Sequence, residues 1–152
     1  TAGRLPFPVQ ARRKHEAQAR RGGVMDWWRR ILFFLGGLYG ALGVAAGAAA
    51  AHLVGDDMLT TASHFLLFHA AALVAIGAAS AAVDGGRAPL LTGASAIALG
   101  TFLFTGDLAL RALSEGEYHW GTAPVGGSVL IVGWIFVAIG GLMARGKPQT
   151  HG

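Results

Sequence analysis

The sequence predicts an all-α integral membrane protein, a four-helix bundle with antiparallel neighbours and glycine-rich helix packing. Three observations carry that prediction. Four apolar spans, at about 31–53, 65–83, 90–110 and 125–144, are each near twenty residues, enough at about 1.5 Å rise per residue to cross roughly 30 Å of hydrocarbon. Hydrophobic residues are 53% of the chain and charged ones 13%, against roughly a quarter charged in an ordinary soluble domain, so a water-soluble fold would expose too much apolar surface. Glycines recur inside the spans at helical intervals, the spacing that lets helices approach closely in lipid.

Before the first span, residues 1–24 hold six basic groups (Arg4, Arg12, Arg13, Lys14, Arg20, Arg21) and one acid, Glu16, whereas from Met25 onward there are six basic residues and seven acidic ones. The net charge of +4 therefore belongs to the tail. Pro6, Pro8 and weak apolar periodicity predict a disordered extension drawn to anionic headgroups rather than a nucleic-acid-binding segment. Two alternatives stand beside it: an Arg-rich, acid-poor transit leader, or a mature chain that starts at Met25, since Arg20 to Gly23 is what a translated ribosome-binding stretch would encode. Residues 25–147 then form the membrane domain and 148–152 a short tail.

In span one, Gly36, Gly40, Gly43 and Gly47 recur at intervals of four, three and four, lining one helical face without side chains. A twin-arginine export signal ending near Ala48 to Ala51 is a competing reading of Trp28, Arg29, Arg30 and Ile31. The glycine face argues instead for a retained, packed helix. Span two follows a polar loop of two acids, two threonines and a serine, with Thr61 or Ser63 placed to cap its start. A connection of about six residues then forces span three antiparallel beside it. Span three repeats the glycine device with Gly93 and Gly100, and span four with Gly126, Gly133 and Gly140 at intervals of seven. Pro124 suits a first helical turn, while Gly127 and Gly141 form a spare face for a partner.

Orientation follows from Lys and Arg in the flanks. The N-terminal side carries eight, ending at Arg29 and Arg30; the first loop has Asp56 and Asp57; the second has Arg87; the third has Arg111 with Glu115 and Glu117; the C-terminus has Arg145 and Lys147. Both termini and the loop 84–89 are thereby expected in the cytoplasm. Trp27 and Trp28 suit the inner interface, Tyr118 and Trp120 the outer one.

Ionisable groups at membrane depth are costly and need partners. Here they are His52 at the outer end of span one, His69 about one and a half turns into span two, and Asp107 about a turn from the outer end of span three. Arg111, four residues on, shares a face with Asp107. The plain reading is that these groups satisfy one another and the loop backbone. The sharper alternative is a proton or ion relay through Asp107 and His69. His64 and His69 are five apart and face differently, unlike a metal pair at helical spacing, and paired haem ligation by His52 and His69 suffers from their differing depths. No phosphate-cradling glycine loop, nucleophile elbow or intramembrane carboxylate pair accompanies Ser63, Ser80, Ser95, Ser114 or Ser128, so no enzymatic activity and no cofactor is expected. Cysteine is absent, which removes thiolate chemistry and disulfides.

Four signatures in order, Gly47 to His52, then Phe68, His69 and Ala70, then Leu103 to Gly106, then Pro124 to Gly127 followed by Gly133 and Trp134, resemble the domain of unknown function 423 family. The likeness covers roughly residues 31–145. It implies a small four-helix protein of the bacterial inner membrane, similar to a small eukaryotic transmembrane protein, with no established activity. The chain departs from the family pattern at Ala49 and Ala50, at Phe65 and Leu66, and at Asp107. These swaps delete two hydrogen-bonding groups and add a charge, while His52 and His69 remain.

Topology brings the end of span one, the start of span two, the end of span three and the start of span four to one side of the membrane. An outward-facing polar cluster of His52, His69, Thr105, Asp107, Pro124, Gly126 and Gly127 is therefore expected, as a lock on the bundle or a docking point. The functional expectation is a non-enzymatic accessory or structural component that contacts membrane lipids and joins a larger membrane complex or a second copy of itself. The alternative is a small transporter or proton-conducting unit using Asp107 and His69.

Overall fold

The computed structural model describes residues 7–54, 57–114, 117, 118 and 120–146. The expectations for residues 1–6, Asp56, Glu115, Lys147 and the tail 148–152 lie outside them. Four helices follow one another: α1 (Phe7–Ala49), α2 (Asp57–Ala82), α3 (Arg87–Leu113) and α4 (Ala123–Met143), with a π-helical turn, Ala50–Val54, closing α1. All four contain a stretch long and apolar enough to cross a membrane. The molecule is an all-α membrane helical bundle.

Two boundaries differ from the sequence reading. The basic segment expected to be disordered is helical from Phe7 and runs unbroken into span one. Pro8 falls in the first turn, where its missing N–H costs nothing, and Ala, Gln, Arg, Lys and Glu beyond it are good helix formers; Arg12 and Glu16 pair one turn apart at 2.9 Å. Likewise α2 begins at Asp57 rather than near residue 65. Neither Thr61 nor Ser63 is therefore a cap. Thr61 bonds back to the Asp57 carbonyl, and Ser63 Oγ donates across the helix interface to the Gly43 carbonyl at 2.7 Å.

In lipid, helices associate by packing rather than by a hydrophobic drive, so the seams decide the architecture. Between α3 and α4 the seam is a two-sided seven-residue register: Leu90, Ile97 and Phe104 sit over Gly140, Gly133 and Gly126, and Leu130 and Val137 sit over Gly100 and Gly93. The backbones are close enough that a Cβ at Gly133 would lie 2.9 Å from the Ile97 nitrogen, and one at Gly100 would lie 2.8 Å from the Gly126 carbonyl. The seam between α1 and α2 is built the same way on one side only. Val74 faces Gly36, Leu67 faces Gly43 and Ser63 faces Gly47, whereas at Gly40 the nearest atom, the Ala70 Cβ, is 3.8 Å away.

The core lies between these pairs. Leu32, Leu73, Ala94 and Ile97 are fully buried, and Tyr39 crosses from α1 to give its hydroxyl proton to the Ala98 carbonyl of α3 at 2.7 Å. Spatial order follows chain order, and α1 and α4 share no packed seam among the described residues. Each therefore leaves an apolar flank uncovered, with Phe34, Leu42 and Val44 on α1 and Ile131, Ile135 and Leu142 on α4. At the end bearing Arg87, the Asp26 carboxylate accepts from Arg29 at 3.1 Å and from Arg87 at 3.0 Å. There the chain after α4 returns to bridge Val83 with Gly146.

Candidate functional site

Two buried ionisable side chains inside the spans, Asp107 and His69, form separate centres. The first is Asp107, fully buried in the last two turns of α3. Its Oδ1 accepts the backbone N–H groups of Trp120 at 2.6 Å and Gly121 at 2.9 Å; its Oδ2 accepts the Ala123 N–H at 3.2 Å and an Arg111 guanidinium N–H at 3.1 Å. The Ala123 donor belongs to the first turn of α4, where backbone N–H groups lack helical partners and the helix dipole favours an anion. Positive φ at Gly121 turns the chain so that its own N–H joins this set. Thr122 adds a bond from its hydroxyl to the Leu103 carbonyl at 3.0 Å, and the Trp120 ring lies over Gly106 and beside Phe102. One carboxylate thus ties the end of α3, the connecting turn and the start of α4.

The second centre is His69, near the middle of α2 and nearly buried. Its Nδ1 lies 2.8 Å from the Phe65 carbonyl, which only accepts, so the partners assign the proton to Nδ1. Nε2 is then the acceptor for the Trp134 indole N–H of α4 at 3.4 Å, a long bond. Phe65 stacks on the His69 ring and meets Phe104 at 4.5 Å between centroids. The Trp134 ring is largely uncovered by the protein, and an indole N–H at membrane depth has no water to bond, so the histidine supplies its acceptor.

The expected single outward cluster is therefore corrected. With α2 beginning two turns earlier, His69 lies twelve residues into the helix, about 18 Å along the axis, rather than near its end. Trp134 is eleven residues into α4, about 16 Å from Ala123 and the Asp107 centre. His52 sits in the π-helical turn, exposed and without a hydrogen bond among the described residues. Thr105 bonds to the Thr101 carbonyl of its own helix at 2.7 Å and does not touch Asp107. Pro124 follows directly on the bound turn in the first turn of α4, Gly126 belongs to the α3–α4 seam, and Gly127 faces open space.

The plain sequence reading, Asp107 paired with Arg111 and satisfied by loop backbone, agrees with the structure; it does not identify Trp120, Gly121 and Ala123 as the donors, nor Trp134 and Phe65 as partners of the histidine. A signal existed for one pair, since Trp134 and His69 are the polar rings deepest in their spans. The backbone donors carry no residue-type signal at all. Among the described residues no three His, Asp or Glu side chains gather in a way that would hold a metal.

The family model described as protein of unknown function (DUF423) matches residues 46–127, which include both centres except Trp134. The chain is 28% identical over 129 residues to the UPF0382 inner membrane protein YgdD of Escherichia coli K12, covering 80% of this chain and 97% of that protein. The protein of the same description from Shigella flexneri matches to the same extent. No solved structure matches.

Proposed function

The chain belongs to the DUF423 family of proteins of unknown function, and from that premise we propose that it is a non-enzymatic accessory or structural component of a bacterial inner membrane, working by lateral contact with another membrane protein. The carrying observation is a contrast. The polar groups of its two buried centres are turned onto internal partners, Asp107 onto four donors and His69 onto Phe65 and Trp134, while the flanks of α1 and α4 are apolar and uncovered. A chain whose two buried ionisable centres are turned inward and whose outer helices are open is suited to present a surface. Gly127 and Gly141, with nothing within 4 Å of either, would let a partner helix approach α4.

The inner-membrane location rests on the name of the Escherichia coli relative and the four membrane-capable helices. The excess of Lys and Arg before α1, together with Arg87 and Arg145, supports termini on the cytoplasmic side. The transport reading gains no support from the geometry, because Asp107 and His69 belong to different depths and engage different partners.

Photo-crosslinking residues at Ile131 and Ile135 of α4, introduced into the full chain in native membranes, test the proposal. A protein adduct of one defined mass from these positions, absent from core positions such as Ile97, is expected. Adducts to lipid alone would sink the proposal.

A further inference from the structure

We propose that the cavity between Asp84 and Arg145 binds the headgroup of one zwitterionic phospholipid bearing a primary ammonium, taken from the leaflet at the Arg87 end. The cavity follows from how the chain closes that end. Gly85 and Gly86, both at positive φ, turn the chain from α2 into α3, and Ala144 leaves α4 in an extended conformation. The two segments run antiparallel, with Val83 bridged to Gly146 and the Asp84 N–H donating to the Arg145 carbonyl at 2.8 Å. One position on from the bridge, Asp84 stands opposite Arg145. Opposite residues in an antiparallel pair project to the same side, with Cβ atoms about 4.5 to 5.5 Å apart.

Opposite charges so placed have every opportunity to pair, yet they do not. Among the described residues neither the Asp84 carboxylate nor the Arg145 guanidinium is in an ion pair, and both residues are exposed. The Arg145 stem lies along Gly85 instead, its Cγ 3.8 Å from where a Cβ on that glycine would stand. A cavity of about 550 Å³ results, lined by Asp84, Gly85, Leu142, Met143 and Arg145. The other carboxylate at this end, Asp26, differs in being held by both Arg29 and Arg87.

One unpaired charge of each sign in a single lining selects a ligand that carries both. An anion alone would also face Asp84, and a cation alone would also face Arg145. A phosphodiester matches the fork of the Arg145 guanidinium. A primary ammonium brings N–H donors to the Asp84 carboxylate, which a quaternary ammonium lacks.

The rest of the wall makes that zwitterion a lipid. The 21 residues of α4 end at Met143, about 31 Å of helix, so the cavity stands at the edge of the hydrocarbon. Leu142 and Met143, 89% and 55% exposed, form an apolar ledge leading from the charged pair toward the acyl region.

Native mass spectrometry tests this on the full chain released from micelles that hold equal amounts of phosphatidylethanolamine, phosphatidylcholine and phosphatidylglycerol. One phosphatidylethanolamine should be retained ahead of the other two lipids. Asp84→Asn should reduce the preference over phosphatidylcholine by about fivefold, and Arg145→Gln should reduce retention of every phospholipid by a similar factor, the scale of one exposed charge pair. Helicity should stay that of wild type in both, since the two side chains are exposed. Asp26→Asn removes a carboxylate from the same end of the bundle and should leave the preference unchanged. An equal loss in Asp26→Asn would overturn the proposal, because general surface charge would then set the retention. So would displacement of the lipid by soluble phosphoethanolamine, which would make a free zwitterion the ligand. Retention of phosphatidylglycerol ahead of phosphatidylethanolamine, or a preference untouched by Asp84→Asn and Arg145→Gln, would overturn it as well.

Discussion

Asp107 Oδ1 accepts the backbone N–H of Trp120 at 2.6 Å across thirteen residues of chain, and this bond with its neighbours holds α4 at a fixed angle to α3. Removing the carboxylate would leave three backbone donors and the Arg111 guanidinium without their acceptor in a dry setting. Asp107→Ala should lower stability in micelles by about 3 kcal/mol, the scale for breaking a buried charged network. Asp107→Asn retains one carbonyl oxygen for Trp120 and Gly121 and should lose less. Unfolding in a series of denaturing detergent mixtures, with helicity as the readout, ranks the two. Equal stability of Asp107→Ala and wild type would show that the turn is held by other means.

His69 and Trp134 should couple weakly. Interhelical hydrogen bonds in membranes average about 0.6 kcal/mol in double-mutant cycles, and a 3.4 Å nitrogen-to-nitrogen separation is long, so a coupling near about 0.5 kcal/mol is expected between His69→Leu and Trp134→Phe. Both single variants should still fold, because His69 is also packed between Phe65 and Trp134 and leucine keeps much of that contact. A coupling above about 2 kcal/mol would point to a stronger network than the geometry provides.

The number of spans and the glycine faces of spans three and four were legible because both are periodicities, length against the bilayer and glycines seven apart, whereas that these two faces meet each other is seen only in the packing. What escaped was contact whose partner has no residue-type signature. Asp107 is bound chiefly by backbone N–H groups of a turn far along the chain, and α2 gains two turns from Asp57 to His64 that are too polar to read as membrane span yet form a regular helix. That extension alone moves His69 from the rim to the middle. The glycines of span one look equivalent in sequence, but only packing separates Gly36 and Gly43, pressed by Val74 and Leu67, from Gly40, which is not.

That separation is testable by substitution. Gly133→Val would place its Cβ against the Ile97 nitrogen at 2.9 Å and the Gly93 carbonyl at 3.0 Å, backbone atoms that cannot swing aside, so α3 and α4 would have to part. A loss of about 2 kcal/mol or more is expected. Gly40→Ala and Gly141→Ala meet open or ordinary contact and should stay within about 0.5 kcal/mol of wild type. The same detergent-unfolding series checks all three, and a Gly40→Ala effect as large as that of Gly133→Val would contradict the asymmetry of the two seams.

Gly86 and Gly121 separate backbone strain from crowding. Both have positive φ, 69° and 67°, a region that costs a residue with a side chain about 1 to 2 kcal/mol. At Gly121 nothing lies within 4 Å of a new Cβ, so Gly121→Ala should lose only that amount. At Gly86 the Cβ would collide with the Gly140 carbonyl and come within 3.0 Å of the Ala144 nitrogen, both backbone atoms at the end of α4. Gly86→Ala should therefore cost distinctly more and release the chain after α4 from its bridge with Val83. Hydrogen exchange at the Asp84 amide, which donates to the Arg145 carbonyl at 2.8 Å, reads that release directly. It should quicken in Gly86→Ala and stay slow in Gly121→Ala, because the altered turn of the latter lies at the opposite end of α4.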